Sequence, residues 1–494
     1  MFSSSRLRDA GVAGCAAVAL AAAFPKLGAA WLVPFAAAAQ FWVWQGASWK
    51  WAALLGWFSG IIFFAIGFSW IGHTVGGYIG IFGPFLMFGP AFIEAPFFAL
   101  AGALAAIAYQ RMRPGLAPLG AAAAFTIAEW LRSIGLLGAP FDQLGYTQAD
   151  TPLRAIAAYG GSYGITFVLC ILGAYIADAI HRRNVRPLGA ACAIVAMLAS
   201  VAWAAWPARR LPPPTIEVAA IQGNIAQSLK WNALDLAIFR YTIMTRTAAL
   251  RKPKLIVWPE TVITTTLDID PRLMQQFKDL AAESHATIVG GSLSLERRRM
   301  YNALYFFQPN GSYAIYDKRQ LVPFAESFPG RAFLSWLPYV GELSGRFSTG
   351  TADGVYPTAA LSVAPLICWE SAFADLAFAQ VRRGAQLLVI STDDAWFGTT
   401  SGPYMHAQIA QIRAIETGAY VVRAAATGIS GIIAPDGTWQ KRSRMEEQAI
   451  VPGKVGPRVP TMFSRIGPTA VALALLWLYV TLLFVPRRKS DDVV

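Results

Sequence analysis

Residues 361–370 have the sequence LSVAPLICWE, an apolar run that ends on a thiol and a carboxylate. Residues 255–260, LIVWPE, follow the same plan and end on a carboxylate, and residues 313–318, YAIYDK, end on an ammonium group. Short apolar runs of this kind, stopped by turn-forming or charged residues, predict buried strands. We therefore expect three strands of one domain, each with a reactive side chain at or just past its end.

The three side chains are Glu260, Lys318 and Cys368, and together they supply the parts of a cysteine-based acyl-transfer site. A carboxylate can take the thiol proton, the thiolate can attack a carbonyl carbon, and a nearby fixed cation favours both the thiolate and the oxyanion. Taken singly, each has an ordinary interpretation: a solvated charge at a strand end, a solvated loop lysine, or a buried structural cysteine. The combination, and not any one member, predicts the chemistry.

The composition is too apolar for a single soluble globule. Of 494 residues, 55% are apolar and only 14% are charged, and the mean hydropathy is +0.45. These values fit an integral membrane protein with a sizeable soluble part. The net charge of +13 fits either positively charged cytoplasmic loops or a nucleic-acid surface. Basic clusters lie beside apolar runs and the sequence shows no nucleic-acid motif, so we expect a membrane and no nucleic acid.

The cysteine and histidine residues predict neither a disulfide nor a metal site. Three cysteines lie in apolar segments, where small buried side chains are expected, whereas Cys368 is in the polar part of the chain with no cysteine partner there. The histidines are scattered without the spacing of metal ligands. We expect no metal and no cofactor. The other residues concerned are Cys15, Cys170, Cys192, His73, His181, His285 and His406.

Eight apolar segments are candidate membrane spans, because each is long enough, or nearly long enough, to cross about 30 Å of hydrocarbon. They cover residues 10–25, 29–47, 51–72, 80–109, 116–132, 160–180, 187–206 and 466–486. The pattern divides the chain into residues 1–206 with seven spans, residues 207–465 as a soluble domain, and residues 466–494 with the eighth span and a short tail.

Basic residues predict the orientation of these spans. Counted over eight spans, the Lys and Arg clusters fall on one side of the membrane, and the opposite loops are poor in them. The positive-inside rule then places both termini in the cytoplasm and residues 207–465 outside it. The clusters are Arg6 and Arg8; Lys50; Arg111 and Arg113; Arg182, Arg183 and Arg186; and Arg487, Arg488 and Lys489.

The fourth segment is unusual because Pro84, Pro90 and Pro96 interrupt it and Glu94 lies among its apolar residues. Glu129 is a second carboxylate within a predicted span. An ionisable group inside a membrane is costly and often functional. A satisfied structural hydrogen bond is the alternative, and both interpretations stay open. A proline-broken segment is tolerated where it lines a cavity or packs within protein.

The soluble domain alternates strand-like and helical runs after a proline-rich linker at 207–214. Mixed alternation of this kind predicts an α/β domain with helices covering the faces of sheets. The predicted strands are 216–222, 255–257, 287–291, 303–307, 313–316, 361–367, 386–391 and 420–425. The predicted helices are 234–250, 271–284, 373–383 and 406–418.

The soluble domain resembles the nitrilase superfamily, whose Glu-Lys-Cys triad lies in an α-β-β-α sandwich. With its flanking membrane helices, the chain looks like the apolipoprotein N-acyltransferases. The resemblance covers nearly the whole chain. It is densest at residues 222–225 (QGNI), 230–231 (KW), 258–260 (WPE), 301–302 (YN), 316–318 (YDK), 321–326 (LVPFAE), 367–370 (ICWE) and 394–398 (DAWFG).

The resemblance implies roles for individual residues: Glu260 as general base, Lys318 as the cation that stabilises thiolate and oxyanion, and Cys368 as nucleophile. Glu326 and Glu370 match two further family carboxylates and are expected to support the triad. Trp231 matches a tryptophan of the substrate region, and Trp369, Trp396 and Phe397 are further candidates for substrate binding. Three positions depart from the family pattern: Ala325 replaces a frequent Gly, Trp369 a common Tyr, and Asp393 a usual Asn.

The resemblance also implies an activity. A phospholipid, expected to be phosphatidylethanolamine, donates an acyl chain to Cys368, and the thioester passes it to the amine of a diacylglyceryl-cysteine at the N-terminus of an apolipoprotein. The enzyme is expected to be a monomer in the bacterial inner membrane, with its catalytic domain in the periplasm. One alternative is a membrane-anchored amidase or nitrilase that hydrolyses a small C–N substrate. Another is a transporter or a scaffold for lipoprotein handling.

Overall fold

The computed structural model describes residues 4–72, 85–135, 137–206, 211, 213–328, 347–352 and 354–486. Several predicted features lie outside these residues: positions 80–84 of the fourth span with Pro84, positions 207–210 and 212 of the linker, and the basic tail 487–489. The chain forms two compact units. The helical unit comprises residues 1–206, 397–408 and 466–494, and the sandwich unit comprises residues 207–396 and 409–465.

The helices and strands are numbered in chain order. The α-helices are α1 Ser4–Ala22, α2 Val33–Gln45, α3 Trp49–Gly67, α4 Phe88–Arg111, α5 Ala117–Leu131, α6 Ala157–Arg182, α7 Arg186–Ala204, α8 Leu234–Ala249, α9 Pro271–Ser284, α10 Ala374–Arg382, α11 Gly402–Thr417 and α12 Phe463–Leu483. The strands are β1 Ile216–Gln222, β2 Leu255–Val257, β3 Thr287–Glu296, β4 Arg299–Phe307, β5 Tyr313–Asp317, β6 Val363–Ile367, β7 Leu387–Thr392, β8 Tyr420–Ala425, β9 Gly431–Ile433, β10 Trp439–Arg442 and β11 Ala449–Val455.

The strands of the sandwich unit form two sheets. The larger has the order β11-β1-β2-β3-β4-β5 and the smaller β10-β9-β8-β7-β6. Strands β1, β2 and β3 are parallel, as are β6, β7 and β8. Strand β5 also runs in the direction of β3, because each is antiparallel to β4 between them. The carboxyl ends of β2 and β5 therefore lie at the same edge of the larger sheet.

Apolar side chains hold the sandwich unit together in four layers. Helices α8 and α9 cover one face of the larger sheet, with Tyr241 and Phe277 packed around Trp258 at ring separations of 5.4 Å. The facing surfaces of the two sheets form a second core of mainly Val, Leu and Ile side chains. Helices α10 and α11 cover the outer face of the smaller sheet. This is the nitrilase-like α-β-β-α sandwich that the resemblance predicts.

In the helical unit, five of the described helical segments are long and apolar enough to cross a membrane. They are Trp49–Gly67, Phe85–Arg111, Pro152–Arg182, Arg186–Ala204 and Phe463–Leu483. Helix α5 is apolar but shorter, α2 has 13 residues, and α1 carries Arg6, Arg8 and Asp9. The chain is a multi-pass membrane protein with a helical N-terminal region, and the count of eight spans stays a prediction.

The outer faces of these helices are apolar, as lipid contact requires. On α7 the large side chains of Ile194, Met197 and Val201 are more than half exposed, and on α12 Trp477 is 71% exposed. Exposed apolar faces of this extent are unfavourable in water and ordinary in hydrocarbon.

The carboxylates inside the predicted spans have partners in the helical unit. Glu94 Oε2 accepts a hydrogen bond from Arg132 Nε at 2.6 Å, and both side chains are 1% exposed. Glu129 Oε1 accepts one from the backbone N–H of Leu144 at 2.7 Å. These contacts favour the structural interpretation of the two carboxylates, because a buried charge is tolerated when a counter-charge or donor replaces its water.

We expect Arg132→Met to destabilise the protein by roughly 3–5 kcal/mol, because the variant leaves the Glu94 carboxylate buried without its counter-ion. Arg182→Met is the matched control. Arg182 also pairs with a buried carboxylate, Asp178, but Gln45 would still donate to that carboxylate in the variant. The thermal midpoints of both purified variants measure the effect. Equal midpoint shifts would contradict a structural role for the Glu94–Arg132 pair.

Candidate active site

Glu260 lies just past the end of β2, in a turn that Trp258 and Pro259 begin. The turn passes so close to β3 that a Cβ atom on Gly291 would lie 2.3 Å from the backbone nitrogen of Thr261. No residue other than glycine fits at 291 without moving the turn. The glycine in β3 therefore helps to set the position of Glu260.

Glu260 and Lys318 are in direct contact. Lys318 follows the end of β5, and its Nζ donates to Glu260 Oε1 at 3.0 Å and to Glu326 Oε1 at 2.9 Å. Asn302 on β4 donates through Nδ2 to the same two oxygens, at 2.7 and 2.9 Å. Glu260 is 6% exposed and Lys318 is 1% exposed. The structure thus joins three of the predicted site residues in one buried hydrogen-bonded cluster.

Charges shift the pKa values of this pair in opposite directions. Burial on its own would raise the pKa of the Glu260 carboxyl, but the cations of Lys318 and Lys230 outweigh burial and hold the pKa below its usual value. Burial would lower the pKa of Lys318, but the carboxylates of Glu260 and Glu326 raise it well above its usual value. At neutral pH the pair is therefore a carboxylate and an ammonium ion.

Cys368 sits at a strained turn between β6 and a short 3₁₀ helix. Its φ of 50° is in the left-handed region, which a residue with a side chain seldom adopts and which recurs at functional sites. Burial, and then the charge of Glu260, raise the pKa of the thiol well above its usual value, although Lys318 and a hydrogen bond with Thr392 act in the opposite direction. Lys318 thus favours the thiolate as expected, but the resting group is a thiol.

Glu370 connects the segments that carry Lys318 and Cys368. Its Oε1 accepts hydrogen bonds from the Tyr316 hydroxyl at 2.9 Å and the Arg319 backbone N–H at 2.6 Å, and its Oε2 accepts one from the Ile367 N–H at 2.7 Å. Arg319 follows Lys318 directly, Tyr316 lies two residues before it, and Ile367 directly precedes Cys368. Glu370 is fully buried and its contacts link the two segments, and its supporting role stays a prediction.

Two residues absent from the sequence-based site contact Glu260. Lys230 Nζ binds Asp393 Oδ2 at 2.5 Å and the Glu260 carbonyl oxygen at 3.3 Å, and the Asp393 backbone N–H donates to Glu260 Oε2 at 2.9 Å. Asp393 is one of the departures from the family pattern. Lys230 balances the negative charge of Asp393, and the bond to Glu260 comes from the backbone of Asp393 and not from its side chain.

Asn302 is the third residue that the sequence-based site lacks. The sequence places it in the motif at 301–302 without indicating a role. A signal was present, because an amide in the middle of the apolar strand β4 needs buried partners. The structure supplies them in Glu260, Glu326 and the Thr261 hydroxyl, which donates to Asn302 Oδ1 at 3.2 Å.

The predicted substrate-binding aromatic residues differ in environment. In the sandwich unit, Trp231 and Trp396 are 54% and 41% exposed, whereas Trp369 is 6% exposed. Phe397 is buried and belongs to the helical unit, where its ring lies 4.6 Å from that of Trp70 and 5.7 Å from that of Phe141. A role in substrate binding stays a prediction for all four predicted residues.

We expect substitutions of Lys230 and Asp393 to be strongly coupled in their effects on the free energy of unfolding. Lys230→Met leaves a carboxylate that is 1% exposed without its cation and should lower stability by roughly 3 kcal/mol or more. Asp393→Asn should restore most of that loss in the double variant, because it removes the unpaired charge and keeps the backbone N–H bond to Glu260. A double-mutant cycle on thermal unfolding measures the coupling, and additive effects of the two substitutions would contradict it.

Comparison with known proteins identifies the family. The carbon-nitrogen hydrolase family matches residues 217–453, and the apolipoprotein N-acyltransferase N-terminal domain matches residues 16–175. The apolipoprotein N-acyltransferase of Photobacterium profundum is 31% identical over 481 residues, which cover 93% of this chain and 91% of that protein. That of Pseudomonas paraeruginosa is 33% identical over 451 residues, covering 85% and 86%. This chain therefore belongs to the apolipoprotein N-acyltransferase family.

Proposed function

We propose that this chain moves an acyl chain from a phospholipid to the N-terminal amine of a diacylglyceryl-cysteine apolipoprotein, through a thioester on Cys368. The contact between the buried Glu260 carboxylate and the Lys318 ammonium carries the proposal. It holds a base and a cation together, and both act on the pKa of the Cys368 thiol. Family membership supplies the substrate class.

In the first half-reaction, Glu260 takes the proton of the Cys368 thiol as the sulfur attacks the ester carbonyl carbon of the phospholipid. The carbonyl oxygen becomes an oxyanion. When the C–O ester bond breaks, the proton on Glu260 passes to the leaving alkoxide, so a lysophospholipid departs and a thioester remains. Charges and protons balance, and Glu260 returns to its carboxylate form.

In the second half-reaction, the free α-amine of the apolipoprotein attacks the thioester carbonyl. Glu260 accepts a proton from the amine nitrogen and returns it to the departing sulfur. An amide forms and the Cys368 thiol is regenerated. Because the donor product leaves before the acceptor reacts, the scheme is ping-pong.

Lys318 supplies the fixed positive charge in both half-reactions. Its raised pKa keeps it protonated at neutral pH, and it is proposed to stabilise the oxyanion together with backbone N–H groups near Cys368. One such donor is typically worth about 3–4 kcal/mol of transition-state stabilisation. Asn302, Glu326 and Glu370 are positioning residues in this scheme, because their contacts hold Glu260, Lys318 and the Cys368 turn in place.

The proposal extends to the setting of the reaction. Both termini are proposed to be cytoplasmic and residues 207–465 to form a periplasmic catalytic domain of an inner-membrane protein. The basic clusters of the sequence support this orientation. The proposed donor is phosphatidylethanolamine, and the proposed working form is a monomer without a metal or cofactor. Aromatic side chains such as Trp369 are proposed to hold acyl chains and keep water from the thioester.

Intact-mass analysis tests the thioester directly. Wild-type protein incubated with phosphatidylethanolamine and no acceptor should gain the mass of one acyl chain, and Cys368→Ala should gain none and transfer none. Cys170→Ala is the matched control, because Cys170 is a buried cysteine of the helical unit, and it should behave as wild type. Normal transfer by folded Cys368→Ala, or release of ammonia from small amides without lipid, would overturn the proposal.

The pKa directions predict a flat pH profile for acyl-enzyme formation. The Glu260 pKa is lowered, so the base stays ionised throughout the neutral range. The Cys368 and Lys318 pKa values are raised, so the thiol and ammonium stay protonated there. The single-turnover rate should therefore change by less than about twofold between pH 6 and 8. A rate that rises about tenfold per pH unit would indicate attack by an independently ionised thiolate.

A further inference from the structure

The helical unit contains a cavity of about 360 Å³ that the proposed mechanism does not use. It is bounded by the end of α1 and the loop after it, by the end of α3, by Asp142, and by residues 400–405. Apolar side chains such as Phe24, Phe63 and Ile66 form much of its lining. A water molecule occupies about 30 Å³ of liquid, so the cavity is large enough for a polar headgroup.

The Asp142 carboxylate lies in this lining without a hydrogen-bond partner among the described residues. Asp142 is 1% exposed, and neither carboxylate oxygen has a hydrogen-bond partner in the described part of the chain. The nearby Arg132 is engaged elsewhere, since its Nε donates to Glu94 and its Nη2 to the Ala139 carbonyl oxygen. A Cβ atom at Gly67 would lie 2.6 Å from Asp142 Oδ2, so the glycine leaves room for the carboxylate.

A buried carboxylate that lacks a hydrogen-bond donor, and whose nearby cation Arg132 already pairs with Glu94, is unfavourable by several kcal/mol. Asp142 is such a carboxylate, and it lies beside the apolar side chains of the cavity lining. The exposed cation Lys26 is part of the same lining. An anionic group deep in the cavity and a cation near solvent are complementary to a ligand with an inner ammonium and an outer anion. The apolar wall adds a surface for methylene groups.

We propose that this cavity binds the headgroup of a phospholipid that carries a primary ammonium. The ammonium meets Asp142, the phosphate meets Lys26, and the first methylene groups lie on Phe24, Phe63 and Ile66. The role of this lipid as acyl donor rests on the proposed function, whereas its binding does not. The N-terminal ammonium of the acceptor lipoprotein shares the inner-cation chemistry, but it has no adjacent phosphate for Lys26 to bind.

Lipid retention tests binding without catalysis. The full chain with Cys368→Ala is purified in detergent, incubated with an equimolar mixture of phosphatidylethanolamine and phosphatidylglycerol of matched acyl chains, and analysed by native mass spectrometry. We expect phosphatidylethanolamine to be favoured by about tenfold, which is about 1.4 kcal/mol. Adding Asp142→Asn should remove the preference, because the amide has the same shape without the charge.

Two lysine variants separate the phosphate contact from general surface charge. Lys26→Met should weaken retention of both lipids by a similar factor, because both carry the phosphate. Lys50→Met removes an exposed lysine that is outside the cavity lining and should change neither lipid. If Lys26→Met leaves both lipids bound as before, the phosphate contact is wrong.

Measuring acyl-enzyme formation distinguishes a failure of this inference from a failure of the proposed function. With Cys368 intact, the ratio of acyl-enzyme formed from the two lipids should fall about tenfold in Asp142→Asn, with the rate from phosphatidylglycerol nearly unchanged. Acylation with an unchanged ratio overturns the donor role of the lipid bound in this cavity and leaves the proposed function standing. Absence of any acyl-enzyme overturns the proposed function, and the retention experiment still decides the site.

Two further outcomes would overturn the assignment. If Asp142→Asn shifts the thermal midpoint but keeps the lipid preference, the carboxylate is structural. If a diacylglyceryl lipopeptide displaces retained phosphatidylethanolamine from the Cys368→Ala protein but not from the Asp142→Asn double variant, the inner cation belongs to the acceptor.

Discussion

The buried ammonium of Lys318 is the charge on which the arrangement of the sandwich unit's site depends. A lysine that is 1% exposed is stable as a cation only where anions and acceptors replace its water. Glu260 and Glu326 do so at 3.0 and 2.9 Å, and Asn302 bonds both carboxylates. Two carboxylates around one ammonium leave a net negative charge. Burial, and then the negative charge of Glu260, raise the pKa of the neighbouring Cys368 thiol in spite of the lysine.

A protonated resting thiol suits the proposed periplasmic setting. The thiolate, and not the thiol, is the form that oxidants and disulfides attack. A cysteine whose pKa is raised by burial and by Glu260 is protected until a substrate arrives. In the proposed mechanism, Glu260 takes the thiol proton as the sulfur attacks the bound ester, and the Lys318 ammonium stabilises the oxyanion that this attack forms. In this proposal the same cluster both protects the nucleophile and activates it.

The sequence predicts the parts of this site that depend on local pattern. Apolar runs end at Glu260, Lys318 and Cys368, and the observed strands β2, β5 and β6 end beside them. The Lys230–Asp393 pair joins residues 163 positions apart, and no periodicity indicates such a contact. For the helical unit, a hydropathy pattern finds apolar segments but not their limits. The segment at 29–47, for example, contains an α-helix of only 13 residues, Val33–Gln45. The hydropathy pattern also does not predict that Glu94 pairs with Arg132, because tertiary packing brings them together.

One buried carboxylate, Asp142 of the helical unit, differs from the others in its hydrogen bonds. The difference distinguishes a structural carboxylate from one that can bind a ligand. In the sandwich unit Glu260 receives bonds on both oxygens. In the helical unit Glu94 pairs with Arg132 and Asp178 pairs with Arg182. Asp142 is as buried as these and has no partner within the described residues. Glu129 and Glu370 are also buried without a counter-ion in the described part of the chain, but each accepts at least one backbone hydrogen bond. Asp142 beside the cavity accepts none within the described residues, and it gains stability when a cation enters. That free-energy gain is available for selecting a lipid headgroup.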